Sequence, residues 1–260
     1  MSHPEVQVSR VGKTFDGSDW IIRDLSLEVE SGTSLAILGE SGVGKSVFLR
    51  VLAGLEKASE GQVFVSGSPV GQPQQSVGYM MQDYTRSLFP WLSIKGNLKL
   101  ALHSYGLSRS EIDDRINAAL NDVGLTGAGD SYPWETSGGM QQRAVLARVL
   151  LGSPKVLLLD EPFGSLDTSV KWGLQDMVRS LCQERQITTI MVTHDIEEAI
   201  YMSDRILTFG SRPARVTWDG EVKLGTIRHQ SITRVQSEFL NLRAKLLGMA
   251  LSNYSSFQKD

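Results

Sequence analysis

Val6 and Val8, and further on Leu25, Leu27 and Val29, are separated by polar residues, which is the two-residue alternation of half-buried antiparallel strands. Ser34-Leu-Ala-Ile-Leu38 is a short apolar run without alternation, as in a strand buried on both faces. Val47-Phe-Leu-Arg-Val-Leu-Ala53 then changes to helical spacing. Gln62-Val-Phe-Val-Ser66, bounded by Gly61 and Gly67, predicts another strand of the first layer, and Val77-Gly-Tyr-Met-Met81 a strand of the main sheet. From about residue 93 to 150 the pattern turns helical: Ser108 and Glu111 form a capping box, followed by Ile112, Ile116, Leu120 and Val123 on one face. Val156-Leu-Leu-Leu159 and Thr188-Thr-Ile-Met-Val192 are apolar strands separated by a helical stretch, the alternation of a parallel α/β sheet. The last segment places Val235, Phe239, Leu242 and Leu246 on one helical face, which predicts a helix docked on its own domain.

Composition narrows this frame. With 260 residues the chain can bury a sizeable core, and 41% hydrophobic with 21% charged residues reads as a globular protein. No apolar stretch approaches the roughly 18 residues that cross a bilayer, so the chain is not a channel by itself. The start Met-Ser-His-Pro-Glu-Val lacks a secretory signal, which makes the cytosol the expected compartment. The single cysteine, Cys182, can form no internal disulfide and reads as a helix-packing residue. A net charge of −3 without a basic run argues against nucleic acid as a partner.

Candidate chemistry begins between strand and helix. Gly39-Glu40-Ser41-Gly42-Val43-Gly44-Lys45-Ser46 fills G-x-x-x-x-G-K-[ST] at every fixed position. Its glycines let backbone N–H groups turn toward phosphates, and the helix N-terminus adds the positive end of its dipole. Lys45 would reach the β/γ-phosphates and the Ser46 hydroxyl would ligate Mg²⁺. The strand Val156–Leu159 ends in Asp160 and Glu161, at the sheet edge where ligands bind. Asp160 would hold Mg²⁺ through its water shell, while Glu161 would polarise the water that attacks the γ-phosphate. Ser137, as the cap of a helix opening Gly138-Gly139-Met140, exposes backbone donors suited to a terminal phosphate held elsewhere.

This last run resembles the Leu-Ser-Gly-Gly-Gln signature of ATP-binding cassette ATPases, and it lies about 20 residues before Asp160-Glu161, as theirs does. The resemblance extends over nearly the whole chain and implies a P-loop NTPase of α/β class. Its sheet would be mostly parallel, with an N-terminal antiparallel β subdomain and an inserted α-helical subdomain. The implied organisation is a single ATPase domain over 1–260, with the helical subdomain at about 93–150 and a C-terminal extension at about 220–260. The resemblance further implies that Gln82 contacts Mg²⁺ and the attacking water, and that Ser165-Leu166-Asp167 crosses a dimer interface. It implies that His194 contacts the γ-phosphate and that Phe15 stacks on adenine; Phe15 as core and Trp20 as its substitute stay open. Val47 completes the cradle, in place of the family's hydroxyl residue. Thr136 replaces the usual leucine, and Glu40 puts an acid where relatives often have proline, where an inward carboxylate would weaken nucleotide binding.

Within the family, Leu88-Phe-Pro-Trp-Leu92, Ser137-Gly-Gly-Met-Gln-Gln-Arg143, Asp160-Glu-Pro-Phe-Gly-Ser-Leu-Asp167 and Ser211-Arg-Pro-Ala-Arg215 resemble the ATPase subunits of nitrate, sulfonate and taurine importers. That resemblance implies a second copy as partner, because each ATP is shared between one cradle and another copy's signature. It also implies polytopic permease subunits, received near Pro90-Trp91, a periplasmic or extracellular substrate-binding protein, and a place at the cytoplasmic face of the cell membrane. Two other readings stand beside import: a soluble cassette acting on DNA or ribosomes, and the ATPase of an exporter. Long coiled-coil insertions or a second cassette, expected of the first, are missing from the sequence.

Overall fold

In the computed structural model, which describes residues 4–83, 87–164 and 166–257, the chain folds around two sheets. Strands β1 (Val6–Thr14) and β2 (Trp20–Val29) pair antiparallel, with Val6 opposite Val29 and Val8 opposite Leu27. The inward set Val6, Val8, Leu25, Leu27 and Val29 is buried, so the alternation in sequence is a true two-faced sheet. After β3 (Ser34–Leu38) and helix α1 (Lys45–Leu52), strands β4 (Glu60–Val65) and β5 (Ser68–Pro69) complete this layer in the order β2-β1-β4-β5.

The second sheet holds the site. It contains β3, β6 (Val77–Met80), β7 (Val156–Asp160), β8 (Thr188–Thr193), β9 (Arg205–Phe209) and β10 (Val216–Glu221), in the order β10-β9-β3-β8-β7-β6. All neighbours are parallel except the β9–β10 edge pair, so the carboxyl ends of β3, β6, β7 and β8 converge on one edge. Every residue of β7 and β8 is buried, which accounts for their continuous apolar runs. Phe48, Leu49 and Leu52 of α1 pack with Ile37, Leu158 and Ile190 beneath the first sheet, and Phe48 meets Phe209 edge to face at 5.8 Å.

On the other side lie α2 (Ile94–Leu100), α3 (Arg109–Asp122) and α4 (Gly138–Leu150), which pack on one another. The Ser108–Glu111 capping box starts α3, and Ile116, Leu120 and Val123 are buried as the spacing predicts. Helix α5 (Thr168–Glu184) connects β7 to β8, and α6 (Ile196–Met202) connects β8 to β9. Cys182 is buried on α5, where burial pushes its thiol pKa up and makes it a packing residue.

The C-terminal segment forms a short helix α7 (Gln230–Thr233) and a long helix α8 (Ser237–Phe257), which docks on α6. Phe239 and Leu246 are buried, but Val235 is 69% exposed and precedes the helix, which corrects the face expected from spacing. The cause is Arg234. Its guanidinium bonds Gln230, Gln175 and Glu197 and lies 5.1 to 5.8 Å from the rings of Tyr201, Trp172 and Phe239, so the chain turns inward at Arg234 and its neighbour points out. Among the described residues, no helix is long and apolar enough to cross a membrane.

Candidate nucleotide site

The loop between β3 and α1 closes tightly because of Gly44, which caps the helix at φ 115°. A side chain there would be both strained and obstructed, since a Cβ would lie 2.8 Å from Ile21 Cγ2. This lets the first turn of α1 present Lys45, Ser46 and Val47 to a cavity of about 280 Å³. Ile21, Ser41, Gly42, Gly44, Gln82, Glu161 and Arg212 complete its wall. Lys45 is buried, and its ammonium donates to the carbonyls of Gly39 and Glu40 at 2.6 and 2.9 Å. Burial pulls its pKa down, while the charges of Glu161, Asp160 and Glu40 push it back. Glu40 thus engages the site through its backbone, and its side chain is exposed. Val43 belongs to the core beneath the loop.

Behind the cavity, Asp160 at the end of β7 is 4% exposed. Ser46 Oγ donates to its Oδ1 at 2.8 Å and Tyr79 Oη to its Oδ2 at 3.0 Å. Burial raises the Asp160 pKa, and the two hydroxyl hydrogen bonds pull it back. The Tyr79 phenol is in turn pushed well up by burial and by the carboxylate it faces. In sequence Tyr79 is legible only as a strand position; nothing local to Val77–Met81 marks it, because its partner is 81 positions away. The oxygen donors of Ser46 and Asp160 fit a small hard cation that keeps most of its waters and takes phosphate oxygens as further ligands. Among the described residues there is no group of three His, Cys, Asp or Glu side chains to hold a metal by itself.

Glu161 follows at the lip. Its φ of 45° is a left-handed conformation that a non-glycine residue adopts at a cost of about 1–2 kcal/mol. It is held there by the hydrogen bond from its N–H to Val192 O at 3.0 Å and by its side chain. Gln82 Nε2 donates to Glu161 Oε2 at 3.1 Å, and His194 Nδ1 lies 3.2 Å from the same oxygen. Among the described residues Oε1 has no protein partner, so one oxygen is oriented and the other is available to a water. The Gln82 and His194 side chains are exposed and come from the ends of β6 and β8, so three adjacent strand ends meet at one carboxylate.

The remaining sequence candidates lie apart from this cavity. Ser137 caps α4 by accepting from Met140 N at 3.3 Å, with Gly138 and Gly139 in its first turn, and none of these four lines the Lys45 cavity. Asp167 precedes α5 and is exposed, Leu166 packs on the core, and Ser165 lies outside the described residues. Phe15 is 62% exposed, which excludes a core role, and Lys13 Nζ sits 4.5 Å from its ring centre. Its loop is organised by Asp16, whose carboxylate accepts from the backbone of Asp19 and Ser18 and from Thr14 Oγ1. Those bonds hold the Asp16 pKa down at about 2. Trp20 is half-buried with Arg23 over its ring at 5.3 Å.

Comparison with known proteins agrees with this geometry. The ABC transporter family profile matches residues 22–164. The aliphatic sulfonates import ATP-binding protein SsuB of Bacillus cereus is 35% identical over 245 residues, covering 93% of this chain and 94% of that one. The bicarbonate transport ATP-binding protein CmpC of Synechocystis is 41% identical over 80% of this chain and 32% of its own length. Among solved structures, CbiO1 from Clostridium perfringens, part of the ABC transporter complex CbiONQ, superposes with a TM-score of 0.77 at 26% identity, over 85% of this chain and 89% of that one. The dimeric cassette MJ0796, in a post-hydrolysis state with ADP and Pi, superposes with 0.75 at 26% identity, over 85% and 100%. The chain belongs to the ABC transporter family, as an ATP-binding cassette that hydrolyses ATP.

Proposed function

We propose that the chain is the ATPase subunit of a bacterial importer for a small solute of nitrate, sulfonate or taurine type, and that two copies close on two ATP molecules. The observation that carries the mechanism is Glu161, strained at its backbone and gripped through one oxygen by Gln82 and His194 at the mouth of the Lys45 cavity. Lys45 and the N–H groups of residues 41–47 hold the β- and γ-phosphates. Ser46, Asp160 and Gln82 would hold Mg²⁺, which would supply charge stabilisation to the transferring phosphoryl group. Glu161 Oε1 takes the proton of the attacking water as its oxygen bonds to the γ-phosphorus and the bond to the ADP oxygen breaks. His194 orients Glu161 and faces the γ-phosphate, and Phe15 stacks on adenine.

The signature Ser137-Gly138-Gly139-Met140 lies off the cavity of its own chain, and in this reading it contributes donors to the ATP of a second copy, with the loop carrying Leu166 and Asp167 crossing between the two. The relatives named for import of sulfonates, bicarbonate and nitrate support the direction of transport. The tilted Phe89–Trp91 pair, 42% and 68% exposed with ring centres 5.2 Å apart, supports contact with a membrane permease at the cytoplasmic face. A substrate-binding protein outside the membrane would select the solute.

The test is steady-state ATP hydrolysis by the purified chain and its Glu161→Gln variant, with and without chelation of Mg²⁺. We expect the parent to turn over only with the metal. The variant should bind nucleotide normally and lose at least about a hundredfold in kcat. Parent-level turnover by the variant removes Glu161 from the chemistry.

A further inference from the structure

His194 is 60% exposed at its side chain and touches only Glu161 among the contacts that define the site, so its direction is set by the loop that carries it. That loop is fixed by charges from another helix. Lys171, in the first turn of α5, donates to Asp195 Oδ2 at 2.6 Å and to Glu198 Oε2 at 2.9 Å. Asp195 follows His194 directly, and its other oxygen, Oδ1, caps α6 by accepting from Glu197 N and Glu198 N at 2.9 and 3.1 Å. On the other side Thr193 is buried in β8, and its hydroxyl accepts from Asp195 N at 3.0 Å.

We propose that Lys171 is a positioning residue for ATP hydrolysis: by clamping Asp195 and Glu198 it holds His194 against Glu161. This rests on the reading of Glu161 and His194 given above. Stability alone does not account for the clamp. Lys171 and Glu198 are both withdrawn from water, Glu198 to 2% exposure, and two desolvated charges repay each other poorly compared with apolar side chains of the same size. What the arrangement does provide is direction, because each oxygen of Asp195 has one fixed donor set.

The same turn of α5 carries two further connections. Lys171 N donates to Asp167 O at 2.8 Å, tying it to the loop assigned to the dimer interface. Its neighbour Val170 packs on Gly139 so closely that a Cβ there would lie 2.9 Å from Val170 Cγ1. A shift of the signature start therefore presses on the turn from which Lys171 holds the His194 loop.

The experiment compares Lys171→Met, Lys171→Arg and the double variant Lys171→Met with Glu198→Gln, which also removes the charge of the buried Glu198 that Lys171 pairs with. Measured are kcat and KM for ATP, binding of a fluorescent ATP analogue, and Tm. Expected is a fall in kcat of about tenfold or more. KM and analogue binding should stay within about twofold, and Lys171→Arg should recover most of the rate. The proposal is overturned if the double variant melts like the parent and turns over at its rate, or if KM moves while kcat does not. Glu161→Gln run alongside separates the levels: an active Glu161→Gln protein refutes the underlying reading, whereas a dead one beside fully active Lys171 variants refutes the clamp alone.

Discussion

Two carboxylates adjacent in sequence are set to different work by what surrounds them. Asp160 is buried, its pKa is raised, and it is bonded by two hydroxyls, one of which is the Tyr79 phenol. Glu161 sits at the lip in a strained backbone and is steered by an amide and an imidazole. Removing Tyr79 Oη takes one donor from Asp160 Oδ2 without opening a large cavity. Tyr79→Phe should therefore cost about 1 kcal/mol in stability. With Oδ2 no longer oriented, the Mg²⁺ concentration for half-maximal hydrolysis should rise several-fold while kcat at saturating metal changes little. An unchanged metal requirement would show that Ser46 alone orients Asp160. A lysine, a serine and two acids could be read from the chain because their order carries the chemistry. Tyr79 and Lys171 could not, because their partners are far away in sequence and are brought near only by strand order and helix docking.

At the level of elements, the parallel sheet aligns the ends of β6, β7 and β8, and the helices behind them are fastened by buried polar contacts. Arg228 is one such fastening for the C-terminal segment. Its guanidinium donates to the carbonyls of Ile200, Tyr201 and Ser203 at 2.7 to 2.9 Å and pairs with Asp204 at 3.3 Å. Burial lowers its pKa to about 10, which still leaves it charged at neutral pH. Arg228→Met would leave three carbonyls at the end of α6 without this donor. The expected loss is about 3 kcal/mol, read as a lower denaturation midpoint, with faster hydrogen exchange in α8. Equal exchange in α8 would detach that helix from the Arg228 anchor. β1, β2, β7 and β8 were legible because a stretch of each obeys one rule, alternation at Val6 and Val8 and at Leu25, Leu27 and Val29 in the half-buried pair and continuity in the buried one. Residues 216–221 carried no such rule: β10 is an edge strand with no buried position, so its pattern is set by pairing with β9 rather than by a core. Val235 was misplaced because spacing does not register the ring-lined, ion-paired seat of Arg234.

Across the whole molecule, one chain supplies a cradle with the Glu161 carboxylate on one sheet edge and a signature start that lies off that cavity. The signature start packs on Val170 in the first turn of α5, and Lys171 in that same turn holds Asp195 beside His194. Under the proposed function, the signature of a second copy would reach the cradle of the first, and closure and hydrolysis would belong to the pair. The most direct measurement is the sedimentation mass of the Glu161→Gln chain with and without Mg-ATP. Expected is a single 28.6 kDa species without nucleotide and a shift to twice that mass with it, reversed by chelating the metal. A Glu161→Gln chain that binds ATP fully and stays at the monomer mass at high concentration would contradict it.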